Sequence, residues 1–211
     1  MLYVNGIPIV AVNPDIERYD GLLLPFNTDN FIVGVEGVIE GNCNLRTAML
    51  AEARLNDGQR LLAFNDLFIG ASSHVSARYR ISYNRKTEEQ SSSGIIVSTK
   101  AGTTGWLSSI FNMTNGVQNF MEKSDTKRKR AVLNESQLMF VVREPFQSKM
   151  TQKGLTAGVL AGQIKLTVES FMPTNGVIFS DGIETDFLNF NSGSIVTVGT
   201  AKEKAKLVTL N

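Results

Sequence analysis

Residues 63–106 organise this sequence: they open with Ala-Phe-Asn-Asp-Leu-Phe-Ile (Ala63 to Ile69) and close with Ser-Ser-Gly-Ile-Ile-Val-Ser-Thr-Lys-Ala-Gly-Thr-Thr-Gly-Trp (Ser92 to Trp106). The first segment indicates a short buried strand that is interrupted by an adjacent amide and carboxylate, Asn65 and Asp66. The β-branched run from Gly94 to Ser98 predicts a second, fully buried strand. The interruption matters because burying two polar side chains without partners is costly.

A turn of small residues and hydroxyls directly follows the second strand. Its sequence is Thr-Lys-Ala-Gly-Thr-Thr-Gly (Thr99 to Gly105), and Leu107, Ile110 and Phe111 come next at helical spacing. This spacing predicts a helix near Gly102 to Phe111. Small residues let a ligand approach the backbone, and backbone N–H groups at a helix start attract anions. A strand, a small-residue turn and a helix start together predict a nucleotide cradle.

Short strand-like segments dominate the rest of the chain. Asn56-Asp57-Gly58 is the strongest hairpin signal, and its partner strand is expected from Arg60 to Ile69. This density of short strands favours an antiparallel β-sandwich over a doubly wound sheet. Later strands are expected at Leu138 to Arg143, Gly158 to Glu169, Gly176 to Phe179, Phe187 to Phe190, Ser194 to Val198 and Lys206 to Leu210.

The N-terminal segment has a different character. Gly6 to Asn13 is a short apolar run that ends on a turn, which is typical of a strand in a parallel sheet. Thr28-Asp29 can cap a helix that follows it. One face of that helix would carry Phe31, Val35, Val38 and Ile39.

Length and composition set the limits. The chain has 211 residues, 42% of them hydrophobic, and a net charge of +1, which gives no argument for binding nucleic acid or a membrane. It has no apolar run of membrane-spanning length and no signal peptide. The single cysteine, Cys43, excludes an internal disulfide and fits a reducing compartment. These features predict a soluble, cytoplasmic protein.

The 63–106 region resembles the core of the NAD kinase family. That family has an Asn-acidic pair, followed by a Gly-hydrophobic-Ser-Thr-x-x-Gly-Ser/Thr-x-Ala/Gly-aromatic block. The likeness is greatest to the mitochondrial type, which has a similar Phe-Ile-Gly after the pair and a similar Ser-Ser-Gly before the second strand. Similar segments also occur in the same order at Val12 to Arg18, Phe140 to Pro145 and Ser180 to Gly182.

The resemblance implies a domain organisation. Residues 42–211 would form the C-terminal, NAD-binding β-sandwich domain of the NAD kinase fold. Residues 1–41 would be a remnant of the N-terminal α/β domain, so the fold would be mainly β with one or two helices. In the family, a Gly-Gly-Asp-Gly-Thr loop upstream supplies phosphate contacts and the catalytic aspartate, and this sequence contains no such loop. The chain is therefore expected to correspond to the later two-thirds of a kinase.

The resemblance also assigns NAD-binding roles, and no catalytic residue, within this chain. The pair at Asn65 and Asp66 would hydrogen-bond the ribose hydroxyls and the nicotinamide side of NAD. Ser93 stands where common bacterial members have an aspartate. The remaining residues would line the adenine and ribose pocket, Trp106 in the family's aromatic position: Thr99, Ala101, Gly102, Thr104, Gly105, Trp106 and Ser109.

The implied activity is phosphorylation of NAD at the 2′-hydroxyl of its adenosine ribose, which gives NADP. NAD would be the substrate, and ATP or polyphosphate with Mg²⁺ would serve the complete enzyme. NAD kinases form homo-oligomers, so a homodimer or homotetramer is expected. This chain would bind NAD and self-associate, with little or no kinase activity alone.

Several alternatives stay open. The protein could be a non-catalytic NAD or NADP sensor, or a sugar or lipid kinase of the related two-domain plan. On residue chemistry alone, Asn65 and Asp66 could instead bond the backbone at a sheet kink, and Trp106 could belong to the core. The basic run Lys127 to Arg130 fits a solvated loop better than a phosphate site. One histidine, His74, and one cysteine predict neither a catalytic triad nor a metal site.

Overall fold

The computed structural model describes residues 6–21, 23–123 and 132–210. The basic run at residues 127–130 lies outside them. The described elements, in chain order, are Pro8–Ile9 (β1), Val12–Asn13 (β2), Phe26–Asn27 (β3), Phe31–Ile39 (α1), Asn44–Leu55 (β4), Arg60–Ala63 (β5), Asp66–Ala71 (β6), Ala77–Tyr83 (β7), Lys86–Ser92 (β8), Ile95–Ser98 (β9), a 3-10 turn at Ala101–Thr104, Trp106–Glu122 (α2), Gln137–Val142 (β10), Ala157–Ala161 (β11), Leu166–Ser170 (β12), Gly176–Ser180 (β13), Phe187–Asn189 (β14) and Ile195–Thr209 (β15).

The larger of two compact units, Leu50–Ala201, is a two-sheet sandwich. One sheet has the strand order β5-β4-β15-β12-β7-β8, and the other has the order β11-β10-β9-β6-β13-β14. The strand pairs registered within the sandwich are antiparallel. The prediction of a mainly β, antiparallel sandwich with one or two helices is therefore confirmed, and the described residues form two.

The core of the sandwich lies between the two sheets. Tyr79 and Ile81 of β7 and Leu67 and Ile69 of β6 alternate with outward residues and are fully buried. Period-two alternation places every second side chain on the inner face. Full burial of one such side chain stabilises the fold by roughly 1.5–3 kcal/mol.

Helix α2 packs on the outer face of the second sheet. That face carries Phe68 and Phe179, which stack with their ring centroids 4.9 Å apart. Trp106, the first residue of α2, also stacks on Phe68, with the ring centroids 5.7 Å apart, and Ile110 packs against the same cluster. The helix start is thereby held directly over the strand that follows the Asn65–Asp66 pair.

The smaller unit consists of residues 6–49 and 202–210. It contains α1 and two parallel strand pairs, β1 with the end of β15 and β2 with β3. Helix α1 is confirmed over Phe31–Ile39, although Asn30, rather than Thr28-Asp29, precedes its first residue. Parallel pairing is characteristic of α/β architecture.

The predicted hairpin and the buried strand after Gly94 are confirmed, as are the strands predicted at 138–143, 176–179 and 187–190, whereas the predicted strand at 60–69 is wrong. The Asn56-Asp57-Gly58 turn joins β4 and β5 in an antiparallel hairpin, and β9 is buried along its length. The segment from Arg60 to Ile69 is not one strand, because it leaves the first sheet at Ala63 and enters the second at Asp66. The backbone between these two strands is held by side chains, as described below.

Three further boundaries are corrected. Helix α2 continues to Glu122, eleven residues beyond the predicted end at Phe111, because no proline interrupts it. Gly162, at φ +58°, turns the chain between β11 and β12, which were predicted as one strand. Conversely, the two strands predicted at 194–198 and 206–210 form one strand, β15. Neither described helix is long and apolar enough to cross a membrane.

Candidate functional site

The polar pair lies where the chain passes from one sheet to the other. Three consecutive backbone N–H groups in this crossing donate hydrogen bonds to the carboxylate of Asp181. The N–H of Phe64 bonds Oδ2 at 3.0 Å, while those of Asn65 and Asp66 bond Oδ1 at 2.7 and 3.3 Å. In return, the Asp181 N–H donates to the carbonyl oxygen of Asp66 at 2.9 Å. A single side chain thus replaces the strand partner that these N–H groups lack.

The small-residue turn donates hydrogen bonds to backbone carbonyl groups of the same crossing. The buried Thr99 hydroxyl donates to the Phe64 carbonyl oxygen at 2.5 Å, and the Thr99 N–H donates to that of Asn65 at 2.8 Å. The Gly102 N–H then donates to the Thr99 hydroxyl at 3.2 Å. A Cβ on Gly102 would clash with the Asn65 carbonyl oxygen and would lie 2.6 Å from Ser98 Oγ. The turn can approach this closely only because position 102 has no side chain.

The side chains of Asn65 and Asp66 are not used by the fold. Within the described part of the chain, neither side chain makes a hydrogen bond or an ion pair, and both residues are half-buried. Burial, and then the nearby Asp181 charge, raise the pKa of the Asp66 carboxyl to about 6. A half-buried carboxylate with a perturbed pKa and no internal partner is characteristic of a ligand-binding site.

The rest of the turn leads into α2 with its backbone accessible. Ala101 is half-buried, whereas Thr104 and Gly105 are exposed. No side chain caps the N-terminus of α2 at Gly105. Uncapped N–H groups at the start of a 17-residue helix favour an anionic ligand.

A cavity of about 860 Å³ opens beside Trp106, over the outer face of the second sheet. The Arg143 guanidinium lies 5.4 Å from the centre of the Trp106 ring, a cation–π contact. Arg143 also holds Ser93: its carbonyl oxygen accepts from the Ser93 N–H at 3.0 Å. Arg143 therefore joins the Ser93 loop to the aromatic stack. His74 lines the same cavity and is exposed.

A second cavity of about 570 Å³ lies along α2. It shares Trp106 and Arg143 with the first cavity, and Ser109 lies on its wall. Most of the other side chains that line it are apolar, including Ile110, Met113, Met139, Val141 and Ala157.

The structure places the predicted site residues in separate groups. Asn65, Asp66, Thr99, Gly102 and the adjoining Ala101 come together at the sheet crossing, and neither Asn65 nor Asp66 lines one of the two cavities. Trp106 and Ser109 line the cavities, and Ser93 is joined to them through Arg143. Thr104 and Gly105 lie on the exposed end of the turn. The binding of NAD by these residues stays a prediction.

Two residues of the site, Asp181 and Arg143, were not predicted from the sequence. Asp181 stands in an Asp-Gly turn whose composition explains it without any further role, yet its carboxylate organises the polar pair. Arg143 precedes Glu144 and suggests an ion pair, yet its described contacts are with Trp106 and Ser93. The left-handed backbone of Asp181, at φ +54° before Gly182 at +74°, is the feature that marks the unusual turn.

Metal-ligand clusters are absent from the described residues: no group of three or more His, Cys, Asp or Glu side chains could hold an ion there. Cys43 is a free cysteine.

The architecture is that of the β-sandwich domain of the NAD kinase fold. One solved structure with a similar fold is the crystal structure of yeast NADH kinase complexed with NADH, with a TM-score of 0.68 and 14% sequence identity. The similarity covers 97% of this chain and 55% of the yeast chain, so the chain spans about half the length of that protein. No protein-family model and no curated protein matches the sequence. At this level of identity the likeness concerns the fold.

Proposed function

We propose that this chain is the dinucleotide-holding part of an NAD kinase-like protein and that Asn65 and Asp66 grip NAD or NADH. The observation that supports it best is the combination at the sheet crossing: the backbone of residues 64–66 is fully engaged, while the two polar side chains have no partner within the described residues. A fold that buries polar groups without satisfying them leaves them for a ligand.

The side chains of Asn65 and Asp66 can hydrogen-bond the hydroxyl groups of a ribose. An ionised carboxylate accepts hydrogen bonds from vicinal hydroxyls, and an amide can both donate and accept. Because the pKa of Asp66 is raised to about 6, its carboxylate is mostly ionised at neutral pH and can accept such bonds. The neighbouring turn lets a ligand approach its backbone, since the half-buried position 101 carries only a methyl group and the exposed Gly105 has no side chain.

The cavity beside Trp106 suits the remainder of a dinucleotide. Its volume of about 860 Å³ lies in the range of small-molecule sites. Trp106 forms part of the cavity wall, and Arg143, which lies over its ring, places a positive charge there for a phosphate group. Asn175, Asn189 and Asn191 add amides for hydrogen bonds at the rim.

The reaction of the complete protein would be transfer of a phosphoryl group from ATP or polyphosphate to the 2′-hydroxyl of NAD. This chain positions the acceptor, and positioning alone can supply a large part of such catalysis. The described residues contain no cluster of three or more His, Cys, Asp or Glu side chains that could hold a metal ion. We place the protein in the cytoplasm, where Cys43 would stay reduced.

Self-association is the second part of the proposal, with another copy of this chain as the partner. Helix α2 exposes an apolar stripe at i, i+4, i+7 and i+8, and Phe120, at its end, is 82% exposed. An apolar patch of this kind marks an interaction surface more often than a free surface. Met113 belongs both to this stripe and to the apolar wall of the second cavity, so the stripe and the cavity adjoin. A two-fold dimer pairs the same patch of both copies, and a protruding stripe beside a cavity is self-complementary in this way. The stripe consists of Met113, Val117, Phe120 and Met121.

A paired assay tests the function. NAD and NADH are titrated into the purified chain by calorimetry, and NADP formation is followed with ATP or with polyphosphate and Mg²⁺. We expect saturable binding with little or no turnover. Robust turnover by this chain would contradict the division of labour, and phosphorylation of a lipid without binding of NAD would favour the lipid kinase alternative.

A further inference from the structure

We propose that Asp181 is a positioning residue of the dinucleotide site: its carboxylate fixes the backbone of residues 64–66 and thereby sets how Asn65 and Asp66 present their side chains. The inference rests on the proposed function, because it assigns a role within that site.

The topology explains why this backbone needs an external acceptor. Phe64 and Asn65 lie between β5 of one sheet and β6 of the other, so no strand registers with them. Their N–H groups would otherwise be buried without acceptors beside the 5% exposed Phe64. Asp181 supplies both carboxylate oxygens, Oδ2 to residue 64 and Oδ1 to residues 65 and 66.

The ladder between β13 and β6 places Asp181 at this point. The registered pairs end at Ser180 opposite Leu67, and the next residue on each strand is Asp181 and Asp66. The Asp181 N–H continues the ladder by donating to the Asp66 carbonyl oxygen. The left-handed backbone at Asp181 ends the strand there, and the side chain then reaches back over the crossing.

A carboxylate fits this position better than any neutral side chain. An asparagine has one acceptor oxygen in place of two, so at least one of the three N–H groups would lose its partner. An alanine would remove all three bonds. Both substitutions also remove the Asp181 charge, which acts on Asp66.

The charge gives the test a readout that a purely structural role would not affect. The proximity of Asp181 contributes, after burial, to the raised pKa of Asp66. Binding that needs ionised Asp66 should strengthen as the pH rises through about 6. Removing the Asp181 charge while keeping its shape should lower the pH at which this happens.

The experiment titrates NADH into the wild type and the Asp181→Asn, Asp181→Ala and Asp186→Asn variants between pH 5 and 8, with the fold checked by circular dichroism. Asp186 is an exposed aspartate five residues further along the chain and serves as the control. We expect Asp181→Ala to weaken binding at least tenfold. Asp181→Asn should weaken it less and shift the midpoint of the pH dependence downward, and Asp186→Asn should behave as the wild type.

The outcomes separate this inference from the function on which it rests. If the wild type binds NADH and both Asp181 variants bind equally well with the same midpoint, the positioning role is wrong and the proposed function stands. If the wild type does not bind NADH, both are wrong. Should Asp181→Ala fail to fold, the affinity of Asp181→Asn at pH 7.5 decides, because Asp66 is then mostly ionised in both proteins. Weaker binding than in the wild type supports the role, and equal binding overturns it.

Discussion

The Thr99 hydroxyl donates a hydrogen bond of 2.5 Å to the carbonyl oxygen of Phe64, across 35 positions of the sequence. This bond fastens the small-residue turn to the sheet crossing that carries the polar pair. Both residues are buried, so the bond is shielded from water. The geometry of the candidate site therefore depends on a contact between two segments that are separate in the sequence.

Replacing Thr99 tests this connection. The Thr99→Val variant keeps the shape but leaves the Phe64 carbonyl and the Gly102 N–H without their partner. We expect it to lower the free energy of unfolding by about 1–3 kcal/mol. Thr99→Ser keeps the hydroxyl and should lose less. Urea unfolding of the three proteins measures the difference, and equal stability of the Val variant and the wild type would show that the bond is unimportant.

Adding a methyl group at Gly102 should disrupt the site. The new Cβ would clash with the Asn65 carbonyl oxygen, which is backbone and cannot move away alone. We expect Gly102→Ala to cost about 1–3 kcal/mol of stability and to weaken NADH binding. Gly116→Ala is the matched control, because open space surrounds that helical position. Alanine there should raise stability by roughly 0.5–1 kcal/mol. Equal effects at the two positions would contradict the close approach at Gly102.

The raised pKa of Asp66 predicts that the free energy of unfolding of the wild type depends on pH. Its pKa of about 6 in the folded protein exceeds the ordinary value of about 4, first because of burial and then because of Asp181. The folded state thus binds more protons between these values, so Asp66 lowers the free energy of unfolding as the pH rises from about 4 to 6.

The Asp66→Asn variant removes this dependence. Relative to the wild type, it should gain roughly 1–2 kcal/mol at pH 8, a figure reduced for the partial exposure of the carboxyl, and little at pH 4. Urea unfolding of both proteins at the two pH values provides the comparison. A stability difference of the same size at pH 4 and pH 8 would contradict the raised pKa.

The apolar stripe on α2 predicts self-association. The double variant Phe120→Glu, Met121→Glu introduces charges into the stripe and should yield a monomer where the wild type is a dimer or tetramer. Tyr19→Glu changes a 60% exposed aromatic that belongs neither to the stripe nor to the lining of the second cavity, and it should leave the oligomer intact. Sedimentation velocity at about 10 µM or above distinguishes these states. A monomeric wild type, or a double variant that stays oligomeric, would rule out this interface.

Local patterns predicted the elements that depend on neighbouring residues. Asn56-Asp57-Gly58 predicts its hairpin because Gly58, at φ +92°, takes the backbone conformation that this turn requires. The β-branched run at β9 predicts a buried strand, since nothing in it suits solvent. The polar pair Asn65 and Asp66 was noticed for the same reason: it interrupts an apolar segment.

Most features that were not predicted from the sequence depend on contacts between residues that lie far apart along the chain. The break in the predicted strand at 60–69 depends on Asp181, which lies 115 to 117 positions further along the chain than the N–H groups it accepts. No periodicity in a short window contains that contact. Arg143 likewise contacts Trp106 because β10 pairs with β9, which brings these two distant parts of the chain together.

The most direct measurement of the central claim is a fluorescence titration of NADH into the wild type and the Asn65→Ala, Asp66→Ala double variant at pH 7.5. Asp29→Ala changes an exposed aspartate and serves as the control, and unfolding curves confirm that the double variant is folded. The account predicts saturable binding by the wild type and at least a tenfold loss of affinity in the variant. Identical titration curves for the two folded proteins, or no binding by the wild type at millimolar NADH, would contradict it.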